Sequence, residues 1–110
     1  MISPTLEARY LRDPLPIRLG GLAADLARIA SCADEPRDRR SVDSLLNESK
    51  YFAEWAAMDA PFDVQVVLLE VQRCVARWHL HWAAGLTPPE LQEQARQWAD
   101  RLLDLAGLAC

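Results

Sequence analysis

The stretch that decides the fold is FDVQVVLLEVQRCVARWHLHWAA, residues 62–84. Its valine-rich start is compatible with a β-strand, because β-branched residues are enriched in strands. Apolar residues nevertheless recur every three or four positions over about five turns, which is the period of an α-helix. The stripe consists of Val64, Val67, Leu68, Val71, Cys74, Val75, Trp78 and Trp82. These residues therefore predict one long amphipathic helix.

Three other segments show the same helical period, and no segment alternates as a strand does. One helix is predicted over about 17–33. A second runs over 41–58, with Ser41 as its N-cap and Pro61 just beyond its end. The last helix follows Thr87-Pro88-Pro89-Glu90, which is typical of a capping box with proline in the first turn, and it ends at Gly107.

An N-terminal arm, residues 1–16, precedes these four segments. Ser3 followed by Pro4 is typical of a helix start, and Asp13-Pro14 interrupts the pattern after about two turns. The connections between the four longer segments are short, which favours antiparallel neighbours. We expect a single all-α domain over 1–110, an up-down-up-down four-helix bundle with a short N-terminal helical arm.

The bulk composition narrows the possible functions. The chain has 110 residues, of which 51% are hydrophobic, and a formal net charge of −4. A chain this apolar is not typical of a disordered protein. The acidic balance makes a nucleic-acid partner unlikely, since such proteins usually carry a basic excess or stripe. Charged residues interrupt 62–84 and residues 1–13 contain no apolar signal segment, so we expect neither a membrane span nor a secretory leader.

The cysteines and the basic residues suggest where the protein works. Cys32, Cys74 and Cys110 are odd in number and form no CxxC pair, which favours reduced thiols and a cytoplasmic location. All basic residues except Lys50 are arginine, and alanine is abundant. This bias suggests a bacterial gene of high GC content.

Two groups of large apolar side chains have no obvious place inside one bundle. Opposite the core stripe of 41–58, one stripe combines Tyr51, Trp55 and Met58. On the far side of 62–84 lies a second group, Val66, Leu69 and Leu80. Contiguous apolar surface of this kind usually has a cover. For the first group the N-terminal arm, a second subunit and another protein are all compatible covers. We expect a non-catalytic interaction module that forms a homodimer or binds a protein partner.

The histidines and tryptophans bear on metal and small-molecule sites. His79 and His81 are two positions apart on a helix, so they diverge and cannot share a metal ion within one chain. We therefore expect no metal and no other cofactor. Trp78, Trp82 and Trp98 could line a small-molecule pocket between the last two helices, although large aromatic residues usually pack in the core.

An enzymatic alternative comes from Arg73 and His79, which are separated by five residues. This spacing resembles the Arg-x4–6-His signature of the HEPN nuclease superfamily, whose members are helical bundles and commonly dimers. The resemblance implies a metal-independent RNase in which Arg73 and His79 converge at a dimer cleft.

Overall fold

The computed structural model describes residues 3–84 and 88–107, and this part of the chain is helical with no strand. The prediction of an all-α protein is confirmed. A 3-10 turn, Pro36–Asp38, precedes the third of five α-helices. The helices are α1 (Pro4–Arg12), α2 (Leu15–Cys32), α3 (Arg39–Ala57), α4 (Phe62–Ala83) and α5 (Pro88–Ala106).

Two helices begin earlier than the sequence pattern predicts. α2 starts at Leu15, with Pro14 as its N-cap, because a proline such as Pro16 is tolerated in a first turn. α3 starts at Arg39, directly after the 3-10 turn, so the prediction of Ser41 as its N-cap is wrong. Asp38 occupies the N-cap position and makes no side-chain capping bond.

α3 lies between α2 and α4 and runs antiparallel to both. Arg18, near the start of α2, binds Asp59 just after the end of α3, with guanidinium-to-carboxylate distances of 2.8 and 3.1 Å. His79, near the end of α4, lies 3.0 Å from Asp43 near the start of α3. Each contact joins the end of one helix to the start of another, as antiparallel packing requires.

α5 packs mainly along α2 and touches α4 at one end. Gln92, in the first turns of α5, donates a 2.8 Å hydrogen bond to the carbonyl oxygen of Ala30 near the end of α2. Trp78 of α4 donates its indole N–H to the side chain of Gln94 at 2.7 Å. α5 is therefore antiparallel to α2 and meets the last turns of α4.

The predicted apolar stripes meet in one contiguous core. Each fully buried Leu, Ile or Val side chain contributes about 1.5–3 kcal/mol to folding relative to an exposed one. Leu105, near the end of α5, remains exposed. Among the side chains with no exposed surface are Leu22, Leu26, Ile29, Leu46, Leu68, Val71, Leu91 and Leu102.

The N-terminal arm is helical and packs against the rest of the protein. The hydroxyl of Ser3 accepts a 3.2 Å bond from the backbone N–H of Thr5, which caps α1. Tyr10 of α1 is buried, stacks on Phe52 of α3 at 4.0 Å, and donates its hydroxyl to the carbonyl oxygen of Arg18 at 2.7 Å. α1 therefore covers part of α3.

Two predicted features at the ends of α5 have different outcomes. Gly107 adopts φ +73°, so the prediction that glycine ends this helix is confirmed. Thr87, the first residue of the predicted capping box, lies outside the described residues, as does Cys110. None of the described helices is long and apolar enough to cross a membrane.

Candidate functional site

α4 carries two rows of side chains, each with alternating spacings of four and three residues. The inner row faces the core, and its members are Val64, Leu68, Val71, Val75, Trp78 and Trp82, all buried. The outer row lies on the opposite side of the helix and is exposed throughout. It consists of Phe62, Val66, Leu69, Arg73, Ala76 and Leu80.

Most of the outer row is large and apolar. The exposed fractions are 79% for Phe62, 41% for Val66, 55% for Leu69 and 71% for Leu80. Met58, which directly follows α3, is 69% exposed. Isolated exposed apolar side chains are common in soluble proteins, but a continuous row suggests a contact surface. Alternating four- and three-residue spacing is the pattern with which one helix packs along another.

The structure places Val66, Leu69 and Leu80 as the sequence predicts, on the far side of the long helix, and adds Phe62 to them. Sequence reasoning missed Phe62 because it was assigned only the role of starting the helix. Its position four residues before Val66 is the signal that could have found it.

The other predicted group, Tyr51, Trp55 and Met58, is divided by the structure. Trp55 is only 5% exposed and lies in an aromatic cluster with Tyr10, Tyr51 and Phe52, at ring-centroid distances of 5.6–6.0 Å. Of the three covers considered for this stripe, the N-terminal arm is the one present. Trp55 therefore offers no open surface to a second chain, Tyr51 is half-buried, and Met58 is exposed.

Charged residues flank the outer row in an ordered way. Asp63 and Glu70 lie beside its first half, whereas Arg73 and Arg77 lie within and beside its second half. All four are exposed, and within the described part of the chain none forms an ion pair. His81 is exposed at the basic end.

Arg73 and His79, the pair behind the nuclease alternative, lie on different faces of α4. The helix is continuous from Phe62 to Ala83, so six positions separate their directions by about 120°. Arg73 points outward with the outer row. His79 faces α3, where its Nε2 lies 3.0 Å from Asp43 Oδ1. Within one chain the structure does not bring the two side chains together.

The three tryptophans of the predicted pocket have separate environments. Trp78 and Trp82 are buried in the core, and the Trp78 indole binds Gln94. Trp98 is half-buried beneath the guanidinium of Arg101, 4.9 Å from the ring centre. Two of the rings fill core space, and the groove beside Trp82 is lined by Arg39, Arg40 and Asp43 and not by the other two rings.

Sequence reasoning also missed Arg39. Its guanidinium lies 4.2 Å from the centre of the Trp82 ring and donates a 2.6 Å hydrogen bond to the Trp82 carbonyl oxygen. A cation at a helix C-terminus stabilises the unpaired carbonyls there. Arg39 therefore fastens the end of α4 to the start of α3.

Arg18 is a buried charge that the sequence did not reveal. It is buried near the start of α2, where it binds Asp59 and donates from Nε to the carbonyl oxygen of Asp13 at 2.9 Å. The hydrogen bonds from Arg18 lower the pKa of Asp59, whose own side chain is largely exposed. This pair fixes the turn between α1 and α2 against the turn between α3 and α4.

Asp25 of α2 is a buried carboxyl with an unusual environment. Burial raises its pKa, and the neighbouring carboxyl of Glu48 raises it further through hydrogen bonding and charge, while Arg28 opposes the shift. Its Oδ2 accepts no hydrogen bond from any described residue. Ser49 is also fully buried, and its hydroxyl has no partner in the same part of the chain. Both groups are closed off from solvent, so a substrate cannot reach them.

Comparison with known proteins gave no relative. No protein family, curated protein or solved structure matches this chain. Within residues 3–84 and 88–107, no three His, Cys, Asp or Glu side chains are grouped so that they could hold a metal ion. The surface with the clearest physical signal is therefore the outer row of α4.

Proposed function

We propose that this chain is a small cytoplasmic helical interaction module that binds another protein helix along the outer row of α4. We also propose that α2–α5 form an up-down-up-down four-helix bundle, with α1 as its arm. The observation that carries the functional proposal is the outer row itself. Phe62, Val66, Leu69 and Leu80 remain exposed although the inner row of the same helix is buried.

The energetics support a contact surface. Leaving a large apolar side chain fully in water forgoes about 1.5–3 kcal/mol relative to burying it, and the outer row forgoes part of this free energy at four positions on one side of one helix. A neighbouring helix with the same four-and-three spacing would cover these side chains together. The aromatic cluster around Trp55 shows the alternative outcome, in which the chain covers its own apolar surface.

The two other functional classes gain less support. A metal-independent RNase would need Arg73 and His79 at one site, and His79 is engaged by Asp43 instead. A small-molecule binder would need one accessible space lined by Trp78, Trp82 and Trp98, and the groove beside Trp82 is lined by Arg39, Arg40 and Asp43 instead. Each alternative stays a prediction without a supporting contact.

Site-specific photocrosslinking in the native host tests the interaction proposal. A photoreactive amino acid would replace Leu69, and a matched control would carry it at Ile17, which is 50% exposed on α2. We expect a discrete protein adduct from position 69 and none from position 17. Equal labelling from both positions, or no adduct from position 69, would contradict the proposal.

A further inference from the structure

We propose that the partner helix is α4 of a second copy of this chain, packed antiparallel through the outer row so that a shared two-fold axis passes between the two helices at the level of residue 71. This inference rests on the proposed function and names its partner. The observation behind it is that the outer row and the charges beside it are complementary to themselves in that one orientation.

The apolar residues set the register. The outer row begins with Phe62 and ends with Leu80, so its midpoint is residue 71, and it spans about 27 Å at 1.5 Å per residue. Antiparallel pairing about this midpoint places Phe62 against Leu80 of the second copy and Val66 against Ala76 of the second copy. Two-fold symmetry repeats each contact, as in an isologous interface.

The charges favour the same orientation about nearly the same midpoint. The acidic residues Asp63 and Glu70 precede residue 71, and the basic residues Arg73 and Arg77 follow it. An antiparallel pair sets the acidic half of each helix opposite the basic half of the other. A parallel pair would set like charges against each other, which is unfavourable. An unrelated partner would have no need for this internal complementarity.

Arg73 has a specific role in this arrangement. It is the one charged member of the outer row, and at its place in the register it faces Leu69 and Glu70 of the second copy. A single polar residue within an apolar helix seam selects register and orientation at some cost in stability. Arg73 therefore acts as an orienting contact between the two copies.

A groove beside α4 can accommodate the ring of Phe62 from the second copy. A shallow groove lined by Lys50, Ala76, His79 and Leu80 lies between α3 and α4 at the basic end. The register brings Phe62 of the second copy to this groove. Lys50 can then approach the face of that ring, which is a favourable placement for a cation.

The arrangement also bears on the nuclease alternative. Pairing about residue 71 brings His79 of one copy to the level of residue 63 of the other. Arg73 of the first copy and His79 of the second would then be about 15 Å apart along the helix axis. The two residues do not converge in this dimer either.

Sedimentation equilibrium of the purified full chain, from about 1 to 300 μM, tests the inference. A contact made by one helix from each copy is small, so we expect a dissociation constant of about 10–100 μM. Leu69→Lys should weaken association at least about tenfold, since it places a charge in the apolar seam. The matched control Ile17→Lys should dimerise as the wild type does. Leu80→Lys, at an even more exposed position, provides a second test of the same row.

Two charge variants test the orientation. One carries Asp63→Arg with Glu70→Arg, and the other carries Arg73→Glu with Arg77→Glu. Each alone should dimerise more weakly than the wild type, whereas their mixture should form a heterodimer. The chain that combines all four changes separates the two orientations. For an antiparallel pair we expect it to dimerise with itself and not with the wild type, whereas a parallel pair would favour the heterodimer with the wild type.

The outcomes separate this inference from the proposed function. A wild-type chain that remains monomeric at about 300 μM would overturn the second copy as partner. Adducts from position 69 with a different protein would then leave the interaction surface standing. A dimer that Leu69→Lys and Leu80→Lys leave unchanged, or charge variants that do not weaken it, would overturn the proposed contact and its orientation.

Discussion

The aromatic cluster around Trp55 and the outer row of α4 differ in whether another part of the same chain covers their apolar side chains. Both lie on helix faces directed away from the main stripe of core residues. At the cluster, Tyr10 of α1 stacks on Phe52 and lies 6.0 Å from Trp55, so the chain covers the surface itself. Along the outer row, no described element of the chain provides such a cover. The first surface therefore contributes to folding, and the second is available for association.

The largest expected contrast comes from truncating one side chain in each region. Trp55→Ala should lower the free energy of unfolding by about 3–5 kcal/mol, because it removes a buried aromatic and leaves a cavity. Leu80→Ala should change it by about 0.5 kcal/mol or less, because the side chain is largely exposed. Urea unfolding of monomeric samples measures both. Equal losses would show that the two surfaces do not differ as described.

The buried carboxyl of Asp25 in α2 should make the stability of the protein depend on pH. Since the folded-state pKa of Asp25 is raised, the folded protein keeps a proton that the unfolded chain releases above about pH 4. The free energy of unfolding should therefore fall as pH rises toward that folded-state pKa, by up to about 1.4 kcal/mol per pH unit.

Asp25→Asn provides the control for this pH dependence, because the amide keeps the shape of the carboxyl and does not titrate. Its unfolding midpoint in urea should decline less between about pH 5 and 8 than that of the wild type. Glu48 and Arg28 remain in the variant, so any pH dependence left over reports on them. The prediction fails if the two proteins lose stability in parallel.

A smaller effect is expected at the ion pair between Arg18 and Asp59, next to the hydrogen bond that holds Tyr10 of α1. Asp59→Asn weakens the paired contact to Arg18, whose carbonyl oxygen accepts the hydroxyl of Tyr10. We expect a loss of about 1 kcal/mol, since the Asp59 side chain is mostly exposed and its ion pair is partly screened. Thermal unfolding measures the loss, and dimerisation should be unchanged. A change in the dimer dissociation constant instead would couple two regions that we describe as independent.

The smallest expected change is a gain in stability at Gly21 of α2, next to the ring of Tyr10. A Cβ added at Gly21 would lie 3.7 Å from the Tyr10 ring, which is an ordinary contact distance. Alanine is a better helix former than glycine by about 1 kcal/mol. Gly21→Ala should therefore raise the free energy of unfolding by up to about 1 kcal/mol. A clear loss would indicate that Tyr10 packs more tightly on α2 than this distance implies.

The helical class and most of the core followed from periodicity alone. The stripe through Val64, Val71 and Trp78 identified the buried side of α4, and the leftover residues Val66, Leu69 and Leu80 identified its exposed side. These predictions succeed because a helix places residues three and four apart on one face. The same rule applied one turn earlier would have included Phe62.

What the sequence could not predict depends on contacts between distant segments. Periodicity placed Trp55 on the side of its helix opposite the core stripe. It could not show that Tyr10, 45 positions earlier in the chain, packs against Trp55. Arg18 and Asp25 are charged residues of α2, as is the exposed Arg28, and the sequence of this helix does not show which of the three are buried. The burial of Arg18 and Asp25 depends on partners in α3 and just beyond it. The carboxylate that accepts the hydrogen bonds of Arg18 belongs to Asp59, 41 positions away in sequence. Local patterns contain no information about such pairings.

The most direct test of the central claim is a dilution series followed by proton–nitrogen correlation NMR of the wild-type chain. We expect concentration-dependent shifts at the backbone amides of Phe62, Leu69 and Leu80, with the indole N–H of Trp55 unchanged. This result would place the contact on the outer row of α4. Shifts centred on Trp55 and Tyr51, with the outer row unaffected, would contradict the account.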